Sequence, residues 1–304
     1  LTAPMGTFRM WRADYNNSKS GTITPNGASR SANDVVNFTV RNMILEESGG
    51  DGIYVGGTLN KNVVVDSVIA RNNYRQGISV ISVDGLVVTN SVFEGTAGTP
   101  PMAGVDFEPN SPHQQLTGIL FDRCVFRNNS GPQIVYALHA YDNRSTPLDI
   151  TFSNIEISDS PRAPGIDIGI SPHGPPGGNV VMSNVTITNI SMSSAVQAGV
   201  KGNQGPRMLF TNFFIENCAI GALHVSPVQI WTLMNNFEMT DSTIVDAMPR
   251  PAVVLHSDDG ISPRNILVDN VTVQTPFPHV ACKLPFLNVS ANERVNLTCF
   301  KTTR

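Results

Sequence analysis

Two carboxylates separated by one residue, Asp106 and Glu108, stand in the stretch AGVDFEPN (103–110). If that stretch is a strand, both side chains leave the same face, about 6.5–7 Å apart along the chain. Such a pair suits a general acid and a general base with a water between them, as in inverting glycoside hydrolysis. Two close carboxylates also raise one pKa and so keep a proton for a leaving group. The plainer alternative is solvated surface charge. Context favours chemistry: charged residues are only 14% of the chain, yet these two interrupt a hydrophobic run. Pro109 and Asn110 then end the strand and aim the following loop.

Other residues could assist. Arg75 precedes the similar stretch QGISV (76–80) and could bind a uronate carboxylate bidentately, or form a salt bridge to Asp106 or Asp51. Tyr54, in DGIYV (51–55), could stack on a sugar ring or stand in solvent. Asp51 precedes Gly52 and reads as an Asx-type turn. His139 and Asp142 lie in LHAYDN, and Asp167 lies in GIDIGI (165–170). His173 sits in a Pro/Gly loop, SPHGPPGG, and His113 in a similar SPH turn. A histidine near a carboxylate can act as acid, base or ligand, whereas a lone surface histidine commonly does none of these. Lys201 and His224 are a base-and-neutraliser pair of the kind a β-elimination lyase needs, but they stand far from Arg75 along the chain.

Several chemistries are excluded. The net charge of −4 gives no footprint for nucleic acid. No run of 18 apolar residues exists to span a membrane. Neither a P-loop nor a GxSxG elbow occurs, and no three-carboxylate cluster is expected within one pair of neighbouring coils, so no metal is required. The four cysteines form no CxxC pair. Cys282 and Cys299, 17 residues apart in a Pro-rich segment, are expected to form a disulfide, while Cys124 follows an apolar alternation and reads as a core thiol. Nine Asn-x-Ser/Thr sequons occur, at Asn16, Asn37, Asn128, Asn143, Asn184, Asn189, Asn270, Asn288 and Asn296. They fit a secreted glycoprotein; they also fit a repeat that simply favours Asn-Val-Thr. The chain starts at Leu1, so a targeting segment is expected to have been removed and the natural chain to extend further upstream.

What must position these residues is a repeat. NVVVDSVIARNN (62–73), GLVVTNSVFEGT (85–96), GILFDRCVFRNN (118–129), DITFSNIEISDS (149–160) and NVVMSNVTITNI (179–190) share one pattern, which continues to NILVDNVTVQTP (265–276). Apolar residues alternate, a polar pair intervenes, and alternation resumes. Period-two alternation means strands with one buried face. The polar pair marks a bend, where Asn tolerates the left-handed region. A third short strand follows, as in DGIYV, QGISV, AGVDF and GIDIGI. Three strands and three bends, with loops of varying length, describe a stacked coil. About nine to ten coils fit, a rod of about 45 Å at about 4.8 Å per rung. Hairpin turns are scarce, and no helical segment separates the strands.

The stretch 34–300 resembles the parallel β-helix, pectin-lyase-like superfamily. SGGDGIYVGG (48–57), NYRQGISVIS (73–82), AGVDFEPN and GTFRMWRADY (6–15) are similar to secreted, mostly bacterial parallel β-helix repeat proteins of unassigned activity. The resemblance implies right-handed coiling and a partner that is a polysaccharide or other glycan, because relatives include lyases, hydrolases, epimerases and phage tailspikes. It also raises Ca²⁺, which such lyases use. The expected division is an N-terminal cap over 1–33, a β-helix over 34–276, and a last coil and cap over 277–304. The expected function is a secreted polysaccharide hydrolase with Asp106 and Glu108 as acid and base, Asp167 and His139 as helpers, and Arg75, Tyr54, Asn110, His173, Lys201 and His224 along the groove. A non-catalytic extracellular module and a polysaccharide lyase are the alternatives.

Overall fold

The computed structural model describes residues 2–9, 35–170, 177–200, 206–222, 225–231, 235–256, 264–283 and 294–302. Every strand pairing among them is parallel, and each strand pairs with its counterpart one repeat away. Two sheets result. One is built from long strands such as Asn60–Arg71, Leu148–Ser158 and Gly178–Thr188. The other contains eight short strands, from Ile53–Val55 through Ile78–Val80, Val105–Phe107, Ile134–Leu138 and Ile166–Ile170 to Val253–Leu255. The described residues therefore make about eight complete turns, fewer than the sequence suggests, because the long sheet extends beyond the short one at both ends.

The expected three-strand coil is present in a modified form. A residue in the left-handed region divides each long strand into two arms. Asn42, Ser67, Asn90, Arg123, Asn154, Asn184, Asn212, Asp241 and Asn270 occupy this position, with φ between 50° and 55°. A second left-handed column, including Asn72, Asn128, Asp159, Asn189 and Asn217, turns the chain towards the short sheet. Stacking places like on like, so the asparagines bond along the axis. Asn212 Nδ2 donates to Asn184 Oδ1 at 2.6 Å, and Asn184 Nδ2 donates to Asn154 Oδ1 at 3.1 Å.

The interior is a continuous aliphatic and aromatic core. Phe121 stacks on Phe152 with centroids 4.8 Å apart, and Phe107 stacks on Tyr136 at 5.0 Å. The glycines before the short strands permit close stacking of backbones. A Cβ on Gly77 would lie 2.5 Å from the Gly104 carbonyl oxygen, and one on Gly104 would lie 2.6 Å from that of Gln133. At the ends, Thr2–Arg9 adds a parallel strand to Val36–Glu46, so part of the N-terminal segment is a further rung. Arg294–Lys301 does the same against Arg264–Thr275, and a disulfide joins Cys282 to Cys299 across this last rung. Cys124 and Cys218 are buried free thiols, each pushed up to about 12 by burial.

Candidate functional site

The register of the short sheet places Tyr54, Ser79, Asp106, Val135 and Asp167 side by side in one column, each one rung from the next. Their neighbours Ile53, Ile78, Val105, Ile134 and Ile166 fill the core. Parity thus turns Asp106 away from the interior, as strand alternation requires. Exposure does not follow from parity, however: Asp106 has 0% of its surface accessible.

Arg75 is the cause. It leaves the turn before Ile78–Val80 and lies across the column, with only 15% of its side chain exposed. Its Nη2 is 2.6 Å from Glu108 Oε2 and 3.9 Å from Asp106 Oδ2, and its Nη1 is 3.5 Å from Asp51 Oδ2. Burial disfavours the guanidinium charge, but Asp51, Glu108 and Asp106 outweigh it and hold the pKa above its ordinary value. Asp106 is also fixed by Gln76. The Gln76 Oε1 accepts the Ala103 N–H at 2.7 Å, which turns its Nε2 towards Asp106 Oδ2, also at 2.7 Å. Asp106 Oδ1 accepts no hydrogen bond among the described residues. Burial, reinforced by the Glu108 charge and opposed by Arg75, raises the Asp106 pKa well above the carboxylate range. Glu108 beside it has a side chain that is 36% exposed.

Several expectations are corrected here. One oxygen of Asp106 and one of Glu108 lie 3.9 Å and 2.6 Å from the same nitrogen, so those oxygens are at most about 6.5 Å apart. That is at or below the lower edge of the gap an inverting water needs. Arg75 is enclosed by carboxylates, not presented to a uronate. Tyr54 is buried, with its ring folded over Gly56, and offers no open stacking face. Asp51 is more than a turn residue: its Oδ2 accepts the Ser79 hydroxyl at 3.0 Å from the next coil. Three carboxylates gather around Arg75, a cluster drawn from three successive rungs and not from one pair of neighbouring coils. Among the described residues no group of three or more His, Cys, Asp or Glu side chains is disposed to hold a metal ion, so Ca²⁺ does not fit this cluster.

The remaining candidates lie around the same face. His139 is exposed, with its ring 3.6 Å from where a Cβ would stand on Gly169. Asp167 is half-buried; burial raises its pKa and the nearby His139 opposes the rise. Asn110 is exposed in the loop after Glu108, where its N–H donates to Gln114 Oε1 at 2.5 Å. Gln114 Nε2 in turn donates to the Gly57 carbonyl at 2.9 Å, tying the loop back over two coils. Asp142 pairs with Arg144 at 2.6 Å and not with His139. His173, Lys201 and His224 lie outside the described residues, as do the sequons at Asn16 and Asn288.

The sequence reading missed the far end of this face. Two residues beyond Asp106 in each rung runs a second outward column. It begins at Glu108 and passes through Ala137, Gly169 and Gly199, which pair in register. It ends at Trp231 and His256, whose rings stack at 3.9 Å and 9°. Outward parity in VQIW (228–231) was the signal that could have found Trp231.

The described sequons stand in exposed positions, and most are ladder residues. Asn189 Nδ2 donates to Asp159 Oδ1 at 3.1 Å, Asn270 Nδ2 to Asp241 Oδ1 at 2.6 Å, and Asn296 Nδ2 to Asp269 Oδ1 at 3.1 Å. Asn37 Oδ1 accepts from Asn62 Nδ2 at 2.9 Å. Asn128 occupies the second left-handed column and Asn143 an exposed loop. The repeat thus supplies its own reason for these asparagines.

Parallel coils, two polar ladders and a covered acid cluster on the short sheet define a β-solenoid. A family model described as a right-handed beta helix region matches residues 10–146, and the parallel stacking continues from there to the strand Arg294–Lys301. The described residues fold as a parallel β-helix. No curated protein and no solved structure matches it.

Proposed function

We propose that the outward face of the short sheet binds a glycan chain lengthwise, and that the protein hydrolyses it with Asp106 as proton donor and Glu108 as the second carboxylate. One observation carries this reading. A buried carboxyl, Asp106, whose pKa burial raises, stands beside the part-exposed Glu108; Arg75 faces both, and Gln76 holds Asp106. Divergent protonation of neighbouring acids is what acid–base cleavage of a glycosidic bond requires. The second column adds a fitting floor. From Glu108 to Trp231 spans four rungs, about 19 Å at about 4.8 Å each, with small residues between a polar end and an aromatic one. Arg75 must swing off Glu108 before a sugar can reach Asp106.

Disulfide formation between Cys282 and Cys299 supports an oxidising, extracellular setting. The test is a polysaccharide panel with Asp106→Asn and Glu108→Gln variants. Each should lower turnover by about a hundredfold or more, and unchanged turnover in both removes the assignment. A second reading, a glycan-binding module without turnover, is favoured by the complete burial of Asp106. Binding to the same panel with no cleavage products, in wild type as in both variants, selects it.

A further inference from the structure

We infer that the Cys282–Cys299 disulfide is a redox latch: it holds the last rung against the solenoid, and cutting it opens the molecule from that end alone. Packing gives the first reason. Arg294–Lys301 pairs with Arg264–Thr275 in parallel, yet none of its eight residues is buried. Its inward side chains Val295, Leu297 and Cys299 sink only part-way onto the core, and Phe300 stands 55% exposed. The rung before it is different: Ile266, Val268, Val271 and Val273 are at most 1% exposed. In the last rung, little apolar burial opposes the entropy lost in ordering the strand, which places it at the low end of local stability.

The disulfide supplies what packing lacks. Cys282 ends the short helix Pro278–Ala281, whose Ala281 is 0% exposed and accepts the Ala252 N–H at 3.1 Å. That helix is anchored on the body of the solenoid, and the bond fastens Cys299 to the anchor. A cross-link between residues 17 apart removes much of the freedom that the rung would gain on leaving. Neither cysteine of the pair is fully buried, so a reductant has access. One thiolate of a dithiol attacks one sulfur and displaces the other; the second thiol of the reductant then resolves the mixed disulfide. The dithiol leaves as its own disulfide, oxidised by two electrons, and Cys282 and Cys299 each end as a thiol. Exchange stops there, because Cys124 and Cys218, the other two cysteines, lie in the core at 1% and 3% exposure. Once the rung leaves, Val271 and Val273 lose the cover of Leu297 and Cys299, and Arg264–Thr275 becomes an unpaired edge.

The experiment compares amide hydrogen exchange of the full chain with and without dithiothreitol. On reduction, the amides of Arg294–Lys301 should exchange faster by about tenfold or more, while those of Asn60–Arg71 and Gly178–Thr188 keep their protection. Alkylation of the folded, reduced chain should label Cys282 and Cys299 and spare Cys124 and Cys218. A Cys282→Ser, Cys299→Ser double variant should show the fast exchange without reductant and no response to it. Unchanged exchange in the last rung after complete alkylation of Cys282 and Cys299 overturns the inference, since packing alone then holds it. Protection lost along the whole solenoid, in the reduced chain or in the variant, also overturns it, because the bond then supports the entire fold. So does a bond that resists the dithiol until the chain is unfolded.

Discussion

Arg75 and Arg250 occupy the same position of the repeat, three residues before the first residue of a short strand, yet they behave differently. Arg75 precedes Ile78–Val80 and reaches outward over the sheet. Arg250 precedes Val253–Leu255 and turns back into its own corner, 4% exposed. Its Nε and Nη2 bond both oxygens of Asp246, at 2.9 Å and 3.1 Å. Its Nη2 also donates to the Cys218 carbonyl and its Nη1 to those of Ala219, Ala222 and Val225. Arg250 is thereby saturated by one carboxylate and four backbone carbonyls. Arg75 meets three carboxylates, and among the described residues Asp106 Oδ1 accepts no hydrogen bond. The same position in the repeat therefore produces a staple in one corner and a charge-stressed site in the other. The deciding variable is what the neighbouring coil supplies.

Breaking the staple should have the largest effect. Arg250→Met leaves Asp246 buried without its partner and strips donors from four carbonyls, so unfolding free energy should fall by about 3–5 kcal/mol. Urea denaturation measures it. A loss below about 1 kcal/mol would mean that water replaces the guanidinium readily and that the corner is not a staple.

How far the sequence reveals such differences depends on whether the relevant contact lies within one strand or between coils. Alternation in NVVMSNVTITNI is local, so strands, bends and the left-handed asparagines are legible there. The outward column of Tyr54, Ser79, Asp106 and Asp167 is legible for the same reason, since parity follows from counting. The bond from Ser79 to Asp51 is not, because the two residues are 28 apart. Nor is the direction of a long side chain. Nothing in YRQGI against MPRPAV tells Arg75 to reach out and Arg250 to fold in. Tyr54 shows a third limit: its parity is outward, yet Gly56 lets the ring fold down into a buried place.

A smaller effect should separate the strained cluster from the staple by its pH dependence. Because the folded state raises the Asp106 pKa, the folded chain binds a proton that the unfolded chain has released once pH passes the ordinary carboxylate range. Stability from this group therefore falls as pH rises from there through the folded pKa, by about 1.4 kcal/mol per unit of displacement. Asp106→Asn mimics the protonated form and still accepts from Gln76. It should match the wild type in acid, exceed it at neutral pH, and give a flatter curve of Tm against pH. Parallel curves would mean that Asp106 is ionised and already compensated, making the cluster a second staple.

The smallest effect tests the same rule in the core, where no charge is involved. Tyr136 is fully buried, stacked on Phe107, and its hydroxyl has no hydrogen-bond partner among the described residues. A hydroxyl taken from water without compensation costs about 1–3 kcal/mol by protein mutational measure. Removing it while keeping the ring should recover part of that cost, offset by loss of the packing contacts of the oxygen. Tyr136→Phe should therefore be neutral or stabilising by up to about 1 kcal/mol, read as an unchanged or raised urea midpoint with the same slope. A destabilisation of about 1 kcal/mol or more would reveal a bonded hydroxyl, through a buried water for instance. The contrast drawn from Arg250 would then narrow, because an apparently orphaned polar group would no longer mark strain.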